Sequence, residues 1–218
     1  KRFGSEGHTN EDISAIVSDP ERVAEVIAAR PDLVAAGFPC QDYSVARPAG
    51  QSHGLVGKKG VLWWQIFSLL KQLSDHGTPV RYLVLENVDR LLQSTAVEPG
   101  RDFRTILASL AELDYAVEWR VVTASEFGFP QRRKRAFLVC YHRTTAMHAK
   151  AAEAVETERL DWLTEGCVLA QALPVRSGAR RCNVMDVGTD AVTASTPRPR
   201  EKHKIGRASC RERVSLNV

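Results

Sequence analysis

From Glu11 to Tyr141 the apolar positions alternate between a helical spacing and short apolar runs. The stretch "DPERVAEVIAAR" predicts a helix, with Asp19 as N-cap and Pro20 at the first helical position, where its missing N–H costs nothing. "DLVAAGF" reads as a short buried strand. "GKKGVLWWQIFSLLKQL" predicts a second helix, because Leu62, Ile66, Leu69, Leu70 and Leu73 recur at three- and four-residue steps. "VRYLVLENV" is apolar throughout, as a strand buried on both faces in a parallel sheet tends to be. "RDFRTILASLAEL" predicts a third helix, "YAVEWRVVTA" an alternating strand, and "RAFLVCYH" a last strand. Alternating strands and helices predict an α/β fold with a doubly wound parallel sheet and helices on both faces.

In such a sheet, ligands and chemistry collect at the carboxyl ends of the strands. The predicted loops there are Cys40 to Lys59, Asn87 to Gly100 and Ser125 to Arg135. Past Arg143 the pattern weakens. "TTAMHAKAAEAVETERLDWL" has helical character, residues 166–200 are mixed, and "STPRPR" reads as extended or disordered. The chain therefore divides into a main unit over residues 1–143, a helical and irregular segment over 144–203, and a tail over 204–218.

Composition narrows the class. The 218 residues, 44% of them hydrophobic, suffice for one full core. There is no apolar run of about 18 residues, so no membrane span is expected. The opening "KRFGSEGHTNEDI" is polar and shows no leader pattern. The five cysteines, Cys40, Cys140, Cys167, Cys182 and Cys210, are widely spaced, without a C-x-x-C pair. That argues against zinc and against a disulfide framework, and for a reducing cytoplasm. The net charge of +4 hints at nucleic acid, but most of it lies in the tail, where Lys204, Arg207, Arg211 and Arg213 oppose Glu212. The tail string "KIGRASCRERV" resembles the in-frame reading of a sequencing adapter. The natural sequence is therefore expected to stop near Lys204, with a disordered basic C-terminus as the other reading.

Candidate chemistry sits in the predicted loops. "GFPCQDYS", Gly37 to Ser44, presents a thiol beside a proline just past a strand. "ENV", Glu86 to Val88, places an acid at a strand end, and "QRRKR", Gln131 to Arg135, supplies guanidiniums. Singly, each is ordinary: a loop cysteine, a solvated carboxylate, a charged face. Together on one rim they make an activated-nucleophile site, in which arginines lower the thiol pKa and the acid holds or delivers a proton. A cysteine–histidine hydrolase would need a partnered imidazole, and neither His53 nor His76 stands in a context that suggests one. In "WW", adjacent helical positions face different ways, so one of Trp63 and Trp64 is expected in the core. Cys140, inside a strand, also reads as core.

Over roughly residues 8 to 143 the chain resembles the cytosine-C5 DNA methyltransferases. The resemblance rests on Pro39-Cys40-Gln41, Glu86-Asn87-Val88 and the Gln-x-Arg-x-Arg pattern of Gln131 to Arg135, in the family's order, with "KKGVLWW" and Asp12-Ile13 in support. It implies a Rossmann-like sheet and an S-adenosylmethionine-dependent transfer of methyl to C5 of a cytosine flipped out of duplex DNA. Cys40 would add to C6, Glu86 would hydrogen-bond or protonate N3, and Arg133 and Arg135 would bind the base carbonyl and hold the site's charges. Pro39, Gln41, Ser44, Asn87, Val88 and Gln131 would shape the substrate loops, and Asp12 and Ile13 would contact the cofactor. Gly50, Gly54, Gly57 and Gly60 would let the loop after Cys40 move, although simple turn chemistry fits them equally well. No metal is implied. The implied setting is a monomer in a bacterial or phage-infected cytoplasm, away from membranes, with a cognate restriction endonuclease as possible partner.

Two features of that family have no counterpart here. "RFGSEG" lacks the spacing of a Phe-x-Gly-x-Gly cofactor loop, and residues 144–203 are expected only to lead toward a target-recognition region that is itself missing. The sequence is therefore expected to be truncated at both ends, with its first strands missing, and to bind S-adenosylmethionine weakly. A transfer-RNA cytosine methyltransferase and a non-catalytic nucleic-acid-binding remnant are the alternative readings.

Overall fold

The computed structural model describes residues 11–38, 61–93, 100–157, 161–174, 181–184 and 213–217, the last two as backbone. Two helices open it, α1 (Ile13–Ser18) and α2 (Pro20–Ala29). Asp19 caps α2 as predicted, its side chain accepting from the Glu21 N–H with Pro20 at the start. The other elements are β1 (Leu33–Gly37), α3 (Val61–Asp75), β2 (Tyr82–Asn87), α4 (Arg101–Glu112), β3 (Tyr115–Thr123), β4 (Lys134–His142), α5 (Ala146–Glu156), α6 (Val168–Ala172), β5 (Arg181–Val184) and β6 (Arg213–Asn217). Short 3-10 turns cover Asp89–Gln93 and Ala124–Phe127, and a π turn covers Trp162–Gly166.

The strands form one sheet in the order β1-β2-β4-β3-β6-β5. β1 and β2 run parallel, whereas β4 is antiparallel to both β2 and β3. The expected all-parallel sheet is thus a mixed one. The cause is local. The connection Ala124–Arg133 is too short for the crossover helix that parallel neighbours need. It reverses through a 3-10 turn and Gly128, whose φ of 86° suits a residue without Cβ.

Helices cover both faces. On one, Trp63, Leu70 and Leu73 of α3 and Ile106, Leu107 and Leu110 of α4 pack against Leu83, Leu85, Val117 and Leu138. On the other, Ala151 and Ala154 of α5, with Leu163, Cys167 and Leu169, pack against Ala116, Val139 and Tyr141. Trp63 is fully buried, its indole N–H donating to Ser109 Oγ at 3.2 Å, while Trp64 is half-buried and edge-on to Phe67. Cys140 is core as expected, and burial pushes its thiol pKa far up.

Two expectations change. β1 lies at a sheet edge and alternates between exposed and half-buried residues, Leu33 being 55% exposed, so it is not a buried strand. β3 alternates in sequence but is buried on both faces, because α5 and α6 cover its polar side. At the far side of β3, β6 pairs antiparallel with it.

Candidate active site

Register brings the predicted loops together. Gly37, the last residue of β1, pairs with Glu86 near the end of β2. Because β4 runs the other way, its beginning lies at that same rim: Glu86 pairs with Phe137 and Asn87 with Ala136. The pairing of Thr123 with Lys134 closes the β3–β4 ladder there. One rim therefore carries the exit of β1 toward Cys40, the Glu-Asn-Val segment and the whole Ala124–Arg133 connection.

The Arg135 Nε donates to Glu86 Oε1 at 2.6 Å, with the two side chains 20% and 37% exposed. A second Arg135 nitrogen, NH1, donates to the Lys134 carbonyl at 2.7 Å, which fixes the guanidinium near the strand. The other carboxylate oxygen, Glu86 Oε2, lies over Gly37, where a Cβ would stand 3.3 Å from it. The missing side chain at residue 37 is what gives the acid room. Gly37 is a site residue that no motif in the sequence marks. Its signal was the glycine that ends the apolar run before Pro39-Cys40.

Asn87 is buried and ties two rim segments together. Its Nδ2 donates to the Phe38 carbonyl at 3.4 Å, and its Oδ1 accepts from the Val88 N–H at 2.8 Å. Phe38 is buried against Trp63, with ring centroids 5.5 Å apart. The chain is thus anchored two residues before Cys40. Val88 is a core residue.

Pro39, Cys40, Gln41, Ser44 and the glycines Gly50, Gly54, Gly57 and Gly60 lie outside the described residues. Gln131 and Arg133 are exposed at the rim, and the Arg133 carbonyl accepts from the Ala124 N–H at 3.0 Å. Asp12 is the N-cap of α1, its Oδ1 accepting from Ser14 N at 2.8 Å and Ser14 Oγ at 2.6 Å, which lowers its pKa. Ile13 packs against the core. Among the described residues no cluster of His, Cys, Asp or Glu could hold a metal ion, and no helix is long and apolar enough to cross a membrane.

A second polar group, unforeseen from sequence, lies on the far side of β3. Glu118 Oε1 accepts from Tyr141 OH and, at 3.2 Å, from the Leu169 N–H at the start of α6. Arg120 NH1 donates to the carbonyls of Leu169 at 3.0 Å and Leu173 at 2.6 Å, and its NH2 to that of Leu163 at 3.4 Å. Glu118 thus takes an N–H in the first turn of α6, while Arg120 gathers carbonyls from that turn, from the C-cap Leu173 and from the preceding π turn. Burial raises the Glu118 pKa and pushes the Cys167 thiol up to about 12. The only trace in sequence was a charged pair inside "YAVEWRVV", which reads as a solvent face.

The model of the C-5 cytosine-specific DNA methylase family matches residues 2–178. The chain is 42% identical to the type II methyltransferase M.Sau3AI of Staphylococcus aureus, over 84% of this chain and 42% of that protein. It is 39% identical to M.NgoBI of Neisseria gonorrhoeae, over 50% of this chain and 31% of the relative. The chain thus spans less than half the length of these curated relatives. A solved methyltransferase of Entamoeba histolytica superposes on 58% of this chain and 36% of its own, with a TM-score of 0.43 and 14% identity, an overlap too loose to build on.

Proposed function

The chain belongs to the C-5 cytosine-specific DNA methylase family, and on that premise we propose that it carries the chemistry of DNA cytosine-C5 methylation. The observation that supports this most directly is the Glu86–Arg135 pair, seated over Gly37 on the rim that the chain crosses just before Cys40. The Cys40 thiolate adds to C6 of a flipped cytosine, forming the S–C6 bond. Glu86 meets N3 with a proton or hydrogen bond, so that the electron pair displaced from the C5–C6 double bond is held on the ring and C5 becomes nucleophilic. Arg135, already on the carboxylate, and Arg133 beside it bind the base carbonyl. Once C5 carried the methyl group, its bond to the donor sulfur broken and a thioether released, loss of the C5 proton to a base would expel the thiolate and restore the double bond. S-adenosylmethionine is the proposed donor and supplies an electrophilic methyl group. Asp12 and Ile13, at the start of α1, would contact its adenine.

The type II naming of the relatives supports duplex DNA as substrate, with a cognate restriction endonuclease as partner. The proposed setting is a monomer in the cytoplasm. The test is covalent trapping: the protein, duplex DNA containing 5-fluorocytosine and excess S-adenosylmethionine are mixed and run on a denaturing gel. A shifted band that disappears with Cys40→Ser is expected. No band with the unaltered protein would overturn this chemistry.

A further inference from the structure

We infer that Phe129 is a nucleic-acid contact, its ring packing on the base and sugar of a nucleotide beside the target while Arg132 meets the adjoining phosphate. This inference rests on the DNA-methylation reading and adds a contact to it.

Phe129 is the most exposed large apolar residue among those described, at 64%. A lone exposed apolar side chain is ordinary, so position and rigidity must carry the case. The Phe129 N–H donates to the Ala124 carbonyl at 3.3 Å, the Gly128 N–H to Ser125 at 3.4 Å, and the Ala124 N–H to Arg133 at 3.0 Å. These bonds close the connection on itself. Gly128 supplies the left-handed turn, and Pro130 fixes the backbone on the other side. The ring is therefore presented by a braced turn, and little ordering entropy remains to be lost on binding.

The location fits the ligand. Thr123 and Lys134 close the ladder at the rim that holds Glu86, so the braced turn stands beside the candidate site. Phe129 is followed within four residues by exposed Gln131, Arg132 and Arg133. An aromatic face next to cations matches a nucleotide, which offers a flat base and an anionic phosphate together.

The experiment measures anisotropy of a fluorescein-labelled, mixed-sequence DNA duplex against this chain over a series of KCl concentrations. Phe129→Ala is expected to weaken binding by roughly tenfold at every salt concentration, since an apolar contact carries no salt dependence. Phe129→Trp should restore it. Arg132→Ala should instead reduce the salt slope by about one. If the unaltered chain binds and Phe129→Ala binds equally well, the inference is wrong while the trapping result for Cys40 is untouched. If the unaltered chain neither binds DNA nor forms the trapped adduct, the methylation reading fails and takes this contact with it. If Phe129→Ala converts a dimer to a monomer in sedimentation, the ring covers a second copy of the chain and the inference is again wrong. Circular dichroism should show equal folding for all variants, since the residue is exposed.

Discussion

The sheet carries two carboxylate–guanidinium groups, and they are built oppositely. On β3, Glu118 and Arg120 are buried, and the bonds described for them run mainly to the chain's own backbone at the ends of α6. At the rim, Glu86 and Arg135 hold each other in a half-open setting, with one carboxylate oxygen over the bare Cα of Gly37. The same residue types do different work because of what surrounds them. Buried charges whose bonds run to fixed carbonyls and amides clamp structure and are costly to disturb. A paired but accessible carboxylate can exchange its partner for a substrate at small cost, since exposed ion pairs contribute about 0–1 kcal/mol.

The sharpest challenge to this contrast is Arg120→Met. It leaves three backbone carbonyls and Glu118 without their cation, and should destabilise the protein by about 3–5 kcal/mol in urea titrations. A loss below 1 kcal/mol would mean that the β3 group is no clamp. Next comes Asn87→Ala, which removes the buried link between Phe38 and Val88. It should cost about 1–3 kcal/mol and, if the link positions Cys40, lower adduct yield further than unfolding explains. Glu86→Gln is expected to change stability by no more than about 1 kcal/mol while abolishing trapping. A large stability loss would put Glu86 in the structural class with Glu118.

The smallest effect is a pH dependence. Burial, the largest cause, depresses the pKa of His142 and His148 below 6.5. The unfolded chain therefore takes up their protons first, and stability should fall as pH drops below about 6.5 toward the depressed values. Glu118, with its raised pKa, acts in the opposite direction. The folded state holds its proton longer, so its contribution weakens as pH rises above the ordinary carboxylate range. Urea midpoints across pH should show His142→Asn flattening the first slope and Glu118→Gln the second.

Much of this arrangement is legible in the sequence, for identifiable reasons. The helix at Pro20 has its cap and its proline in adjacent positions. The apolar steps of α3 and the run of β2 carry clear periods, and that one of Trp63 and Trp64 is core follows from geometry, though which one does not. The strand direction of β4 was not legible from apolar runs, because a run reads the same either way. The length of the Ala124–Arg133 connection held that information. The β3 group was hidden because an alternating charged strand has the same pattern whether its polar side meets water or a later helix. The rim was legible as three motifs, but the ion pair and the glycine under it depend on register, which only pairing supplies.

The clamp on α6 also has a kinetic meaning. Its hydrogen bonds join residues 43 to 53 positions apart in sequence. Such closures are slow and cannot form until β3 is in place. The helix ends that Arg120 holds must therefore wait, as the chain is made, for a sheet already assembled from residues upstream. Docking of residues 161–174 then becomes a late event that reports whether the sheet has formed correctly, and a protease pulse during refolding should cut this segment after the strands have become resistant.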